Sequence, residues 1–209
     1  MTRDDLDTVE KQVSYLLGFS QVRQMLEQGV GLDFAAFAEG AKTCIEGQAP
    51  VIGDDEAQAI FSAYQQTLQA KANEAQAAAS GQNAAASEAF LAENAGKDGV
   101  SVTPSGLQYK VVSEGDGAKP VAANTVRVHY EGTLITGEVF DSSIARGQPT
   151  EFGLSQVIAG WTEGLQLMSV GSTYEFYIPA GLAYGENGPP SIGPNQALIF
   201  QVQLIDILN

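Results

Sequence analysis

The chain has 209 residues, 44% of them hydrophobic, and 25 aspartates and glutamates against 10 lysines and arginines give it a net charge of −15. That acidity is spread over both halves and repels phosphate backbones and anionic lipid, which argues against nucleic-acid and membrane partners. A single cysteine excludes an intramolecular disulfide, and one cysteine beside one histidine gives no basis for a His/Cys metal site.

No stretch approaches eighteen consecutive apolar residues, the length that spans a bilayer as a helix. The opening "MTRDDLDTVEKQ" is charged and has no apolar signal region, so as written the sequence reads as cytoplasmic. The alternative is a periplasmic protein whose removed signal peptide is replaced by the numbered start.

The first hundred residues predict helices. Leu6, Val9, Val13 and Leu16 recur at spacings of three and four, and Val22, Met25 and Leu26 carry the pattern up to Gly29 and Gly31. Asp33 is placed to cap a second helix bearing Phe34, Phe37, Ala41 and Ile45, closed by Gly47 and Pro50. Asp54 and Asp55 open a third, with Ile60, Phe61, Tyr64 and Leu68 on one face. From Gln65 to Glu88 alanine and glutamine dominate, both strong helix formers. Lacking an apolar stripe, this stretch is expected to stand in solvent as a connecting rod. A helix over residues 54 to 95 would be roughly 60 Å long, with Gly81 its weak point. The alternative is a disordered low-complexity linker.

The helices before the rod have apolar stripes but little volume between them, too little for an independent core. Pairing the stripes of two copies solves that, so residues 1–53 read as a homodimerisation module. Cys44 is expected to be a small buried apolar residue within it.

Beyond Ser105 the period changes to two. "LQYKVV", "TVRVHYEGTL", "STYEFYIP" and "ALIFQVQLIDIL" are β-branched and aromatic with turns between them, and one helical stretch, Trp161 to Met168, interrupts them. The chain is therefore α+β, with an antiparallel sheet covered on one face by a short helix. Alternation puts Val126, Val128 and Tyr130 on the core face and Arg127, His129 and Glu131 on the wet face, which leaves a histidine-based hydrolase little support. Tyr174, Phe176 and Ile178, then Leu198, Phe200, Val202 and Leu204, complete the core face. Asp141 and Arg146 are close enough to pair across a turn, although spacing alone favours a solvated surface bridge of little energy. Trp161, the one tryptophan, reads from position alone as core filler or as the floor of a site.

In order, "VRVHYEGTL", "GEVFDSS", "VIAGWTEGLQLMSVG", "LAYGENG" and "ALIFQVQLIDI" resemble the signature blocks of the FKBP-type peptidyl-prolyl cis-trans isomerases, the macrolide-binding immunophilins. The likeness covers roughly residues 105–209. The helical half is similar to the dimeric bacterial members of the macrophage-infectivity-potentiator-like and FkpA-like group. The resemblance implies an isomerase domain at 99–209, joined by a connecting helix at 54–98 to the dimerisation module at 1–53. It implies catalytic roles for Tyr130, Asp141, Ile158, Trp161 and Tyr184. Trp161 is then the platform for a proline ring, and the Ile158 N–H and Tyr184 hydroxyl donate to flanking carbonyls. Phe140, Arg146, Phe152, Val157, Ile192 and Phe200 are implied as substrate-binding, with Arg146 holding Asp141. The implied substrates are proline-containing unfolded or refolding polypeptides, the implied inhibitors macrolides, and no cofactor or metal is implied. A chaperone whose isomerase activity is incidental is the alternative. Thr150 stands where many family members carry an apolar wall residue.

Overall fold

The computed structural model describes residues 2–209. Three helices open the chain: α1 (Val9–Glu27), α2 (Phe34–Ile45) and α3 (Asp54–Asn94). The first two begin where a polar side chain meets orphan backbone N–H groups. Thr8 Oγ1 accepts from Lys11 N at 3.3 Å, and Asp33 Oδ1 accepts from Ala36 N at 2.9 Å. Asp54, Asp55 and Glu56 sit in the first turn of α3, where the helix dipole favours negative charge. α3 runs through Gly81 without a break, so the helical reading holds over the disordered-linker alternative.

The chain divides into two compact units, one running to Ala72 and the other from Asn73 to Asn209, and α3 contributes to both. In the first unit the Tyr64 hydroxyl accepts a hydrogen bond from Gly31 N at 2.9 Å. No residue of α1 or α2 is buried in the single chain. Val9, Val13, Tyr15, Leu16, Leu17, Phe19 and Leu26 are all exposed. At ~100° per residue they cover about half the circumference of α1, a wider band than the predicted stripe. Leu6 lies outside that helix, at the end of a 3-10 turn over Arg3–Asp5. Cys44, expected to be buried within a dimerisation module, is exposed in the single chain.

The second unit is a seven-stranded antiparallel sheet. Its strands are β1 (Val100–Val102), β2 (Gln108–Ser113), β3 (Thr125–Leu134), β4 (Val139–Ser142), β5 (Thr150–Gly153), β6 (Thr173–Ile178) and β7 (Leu198–Ile207). They run in the order β1-β2-β6-β7-β3-β4, and β5 also pairs with β3. β5 takes the first half of β3, through Val126↔Phe152 and Val128↔Thr150, and β4 takes the second half, through Gly132↔Asp141. A one-turn helix, α4 (Ser143–Arg146), follows β4, and α5 (Ala159–Leu165) lies between β5 and β6.

The period-two pattern sorts the faces as expected. Val126, Val128, Tyr130, Phe176, Ile178, Leu198, Phe200, Val202 and Leu204 are all buried in one core with Trp161 and Leu165 of α5. α5 closes on β6 through Gly160 and Gly164, one turn apart. A Cβ at Gly160 would stand 2.5 Å from Ile178 Cγ2, and one at Gly164 2.7 Å from Phe176 Cε1.

The last turns of α3 are not a rod in solvent. Ser87 and Asn94 are buried, and Asn94 Nδ2 donates to Gln108 Oε1 at 3.0 Å while Gln108 Nε2 donates to Leu91 O at 2.8 Å. Phe90 packs on Tyr177 with ring centroids 6.1 Å apart. Alanines allow close approach, and side-chain amides and hydroxyls supply the contacts, so a search for an apolar stripe misses this face.

The glycines predict opposite signs of stability change. Gly160→Ala or Gly164→Ala should cost about 1–3 kcal/mol by overpacking. Gly81→Ala, where an added Cβ meets nothing within 4 Å, should stabilise by up to about 1 kcal/mol. Denaturant unfolding of the three variants checks both.

Candidate active site

A cavity of about 280 Å³ opens at the end of the sheet where β3, β4, β5 and β7 converge. β3 contributes Tyr130, β4 Phe140 and Asp141, β5 Phe152, and β7 Phe200. The turn into α5 brings Gln156, Val157 and Ile158, α5 itself brings Trp161, and the loop after β6 brings Tyr184. Nine residues singled out from the sequence thus meet around one space.

Trp161, only 4% exposed, is met edge-on by three rings. Centroid distances are 5.3 Å to Tyr130, 5.3 Å to Phe152 and 5.2 Å to Phe200, at interplanar angles of 85°, 86° and 80°. Its Nε1 is buried with no hydrogen-bond partner, at a cost of about 1–3 kcal/mol. Three edge-to-face contacts at about 0.5–1.5 kcal/mol each are large enough to offset that cost. The indole is therefore held by rings and not by a polar tether. Phe140 stacks edge-on against Phe200 at 5.5 Å and 87°. Both rings crowd over Gly132, where a Cβ would stand 2.7 Å from each.

The polar side of the cavity is a closed triangle. Tyr130 Oη donates to Asp141 Oδ2 at 2.5 Å, Arg146 Nη2 donates to Tyr130 Oη at 2.9 Å, and Arg146 Nη1 donates to Asp141 Oδ1. The guanidinium also lies over the Tyr130 ring, 5.6 Å from its centroid. Ser142 caps α4 by accepting from Ala145 N at 3.1 Å, and this one turn swings Arg146 back onto Asp141. Burial pulls the Asp141 carboxyl upward, but the bonds from Tyr130 and Arg146 and the guanidinium charge outweigh it and hold it below the usual carboxylate range. Burial pushes the Tyr130 phenol up, and donation to Asp141 pushes it further, against a smaller opposing effect of Arg146. The Asp141–Arg146 side chains are 42% and 49% exposed, so the ion pair alone is worth little. What lifts it above a surface bridge is the buried tyrosine at its third corner.

The residues of the two expected donors, Ile158 and Tyr184, both line the cavity. Ile158 is the N-cap of α5, and its carbonyl accepts from Trp161 N at 2.9 Å. Its own N–H meets no backbone acceptor among the described residues. The Tyr184 side chain is 44% exposed at the rim.

One expected wall residue is absent from the cavity lining. Ile192 is buried in the core and does not line the cavity. The Ile192 and Gly193 N–H groups both donate to Pro189 O at 2.8 Å, a curl that accompanies the burial of this side chain. Arg146 stands behind Asp141 and donates to it, the holding contact expected from the sequence. Sequence reasoning missed Gln156, a polar residue in a turn, and Gly132, whose lack of a side chain makes room for two rings. The glycine inside an otherwise alternating strand was the available signal for the second. His129 is half-buried and faces away from the cavity, with Nδ1 3.1 Å from Ser143 Oγ. A larger groove of about 870 Å³ lies in the first unit between Gln28–Gly29 and Ser62–Ala72, but it is lined by glutamines and has no aromatic ring. Chemistry, not volume, selects the site.

Residues 117–205 match the family of FKBP-type peptidyl-prolyl cis-trans isomerases, and residues 10–111 match the domain amino-terminal to that isomerase. The chain is 43% identical over 211 aligned residues to the FKBP-type 22 kDa peptidyl-prolyl cis-trans isomerase of Escherichia coli K12, covering all of both chains. It is 42% identical to the outer membrane protein MIP of Legionella longbeachae, over 97% of this chain and 87% of that protein. The fold is similar to the crystal structure of FkpA from Escherichia coli, with a TM-score of 0.78, 33% identity, and coverage of 96% of this chain and 97% of that one. With the signature blocks, the sheet and both halves accounted for, the chain belongs to the FKBP-type peptidyl-prolyl cis-trans isomerases.

Proposed function

We propose that the chain accelerates rotation about X-Pro bonds by taking the amide out of water into the aromatic cavity, with a proline ring resting on Trp161. The observation that carries this reading is the cage of Tyr130, Phe152 and Phe200 around the indole, three rings lining a cavity of about 280 Å³. Rotation about a peptide bond meets a barrier of about 18–20 kcal/mol because twisting breaks amide resonance. The planar amide is the more polar form, so water stabilises it more than the twisted form. Desolvating an amide costs roughly 2–7 kcal/mol. Each ~1.4 kcal/mol of that cost falling on the planar form alone is about tenfold in rate. A few kcal/mol therefore suffices, with no covalent step.

In this reading Tyr130, Asp141, Ile158, Trp161 and Tyr184 are the catalytic set. The Ile158 N–H and Tyr184 hydroxyl hold carbonyls on either side of the turning bond, fixing the segment in its reactive geometry. Asp141, kept ionised and in place by Tyr130 and Arg146, lines one wall as a fixed negative charge. Phe140, Phe152, Val157 and Phe200 close the remaining walls, where a macrolide inhibitor of the family would also sit.

The exposed band of α1 supports a second element of function. Residues 1–53 act as a homodimerisation module, residues 54–98 connect it, and residues 99–209 form the isomerase domain. Joining two isomerase domains raises the effective concentration of the second at a chain already held by the first. That gives the dimer chaperone-like hold on unfolded or refolding polypeptides. The name of the Legionella relative assigns that protein to the outer membrane. It favours the periplasmic alternative for this chain over the cytoplasmic expectation. No helix here is long and apolar enough to cross a membrane among the described residues.

These outcomes follow for the full chain. Asp141→Ala and Trp161→Leu should each lower kcat/KM on a short X-Pro peptide at least tenfold in a protease-coupled assay, with near-native circular dichroism. Activity should be flat between about pH 5 and pH 8, since no proton is transferred. The stabilisation carried by Asp141 is fully present above the ordinary carboxylate value of about 3.9 and is lost only as pH falls through its lower folded value. That carried by Tyr130 persists below about pH 10 and is lost as pH rises through its raised folded value. Val13→Glu with Leu16→Glu should convert a dimer to a monomer in sedimentation while peptide activity per chain is kept.

A further inference from the structure

The loop that carries Tyr184 is tied to the long helix by a polar ladder. Ser80, Asn83 and Ser87 recur at spacings of three and four and so share one face of α3. Ser80 Oγ accepts from Asn195 Nδ2 at 2.8 Å, and Asn83 Nδ2 donates to Pro194 O at 2.8 Å. Ser87 Oγ donates to Asn195 O at 3.2 Å and accepts from Ala197 N at 2.8 Å. Ser87 is only 5% exposed, so its bonds are largely shielded from competing water.

Asn195 is where the ladder meets the cavity loop. Among the described residues it is the one non-glycine with positive φ, at 53°. Asparagine tolerates that left-handed conformation better than most residues. Its side-chain amide and its carbonyl both face α3, while its N–H donates to Gly185 O at 2.8 Å, next to Tyr184. The limbs of the loop also touch further along, where a Cβ at Gly188 would stand 2.0 Å from Gly193 O. The loop has no strand ladder of its own, and Tyr184, nearly half exposed, gains little from burial. Ordering such a segment costs conformational entropy that some other contact must offset.

We propose that Ser80, Asn83 and Ser87 are positioning residues for the isomerisation, setting the place of the Tyr184 hydroxyl through Asn195. The long helix is then a support of the active site as well as a connection to the first unit. The proposal rests on the reading that the Tyr184 hydroxyl holds the substrate.

The test is a set of cycles on the full chain. Ser80→Ala with Asn83→Ala, and separately Asn195→Gly, which keeps the left-handed backbone accessible, are combined with Tyr184→Phe. kcat/KM on an X-Pro peptide is measured well below the unfolding midpoint of each variant. The expected result is a loss of about three- to tenfold for either ladder variant, since small misplacements of a binding group are costly. That loss disappears in the Tyr184→Phe background, and Ser80→Thr, which keeps the hydroxyl, retains activity. A merely structural role would lower the midpoint without this dependence on Tyr184. If Tyr184→Phe loses activity but the ladder variants do not, or if the losses multiply independently, the positioning proposal is overturned and the site reading survives. If Tyr184→Phe itself loses nothing, both fall.

Discussion

Trp161 is held in place by the edges of three rings from three different strands, Tyr130 of β3, Phe152 of β5 and Phe200 of β7. The strand pairings converge on that meeting. β5 and β7 must both lie beside β3, with Val126 opposite Phe152 and Tyr130 opposite Val202, for the rings to arrive together. α5 must lie close on the sheet for the indole to reach them, and Gly160 and Gly164 are what let it. An indole fixed by ring edges presents an apolar surface with no polar tether to compete for a ligand, and its own N–H is left unpartnered.

Charge enters only at the margin of this surface. The Tyr130–Asp141–Arg146 triangle places one carboxylate at the wall and compensates it on two sides, so the cavity carries a fixed dipole and not a titrating group at ordinary pH. Tyr130 belongs to both systems. Its ring is part of the cage, and its hydroxyl orders the triangle. A single core residue thus couples the apolar floor to the polar wall. On the proposed desolvation reading little more is needed, because rotation of an amide then asks for a change of surroundings and not for a bond to be made.

The sequence made the sheet legible where strands were long. In β3, β6 and β7 six to ten alternating residues separate the faces, and the core-face residues are those the alternation predicts, although Tyr177 on the other face of β6 is buried too, against Phe90 of α3. β1, β4 and β5, at three or four residues, are too short for a period to register. Most of the cavity residues were found through the family blocks, since spacing alone left Trp161 between core and site. Ile192, which the family blocks offered as substrate-binding, lies where the cavity loop curls, with its side chain buried in the core. The docking of α3 was illegible for a different reason. Its contacts run through Ser80, Asn83 and Ser87 to a loop more than a hundred residues away, and through Asn94 to Gln108 of β2, polar pairings that a search for an apolar stripe does not register.

If the rate comes from changing the surroundings of the amide, no proton is in flight at the transition state. The direct measurement is the solvent isotope effect on kcat/KM for an X-Pro peptide, comparing light and heavy water at matched plateau conditions. Desolvation and twisting in the aromatic cavity predict a ratio of about 1, whereas proton transfer by a cavity side chain would give about 2 or more. A ratio in the upper range would contradict the desolvation reading and move the chemistry onto the Tyr130–Asp141 pair.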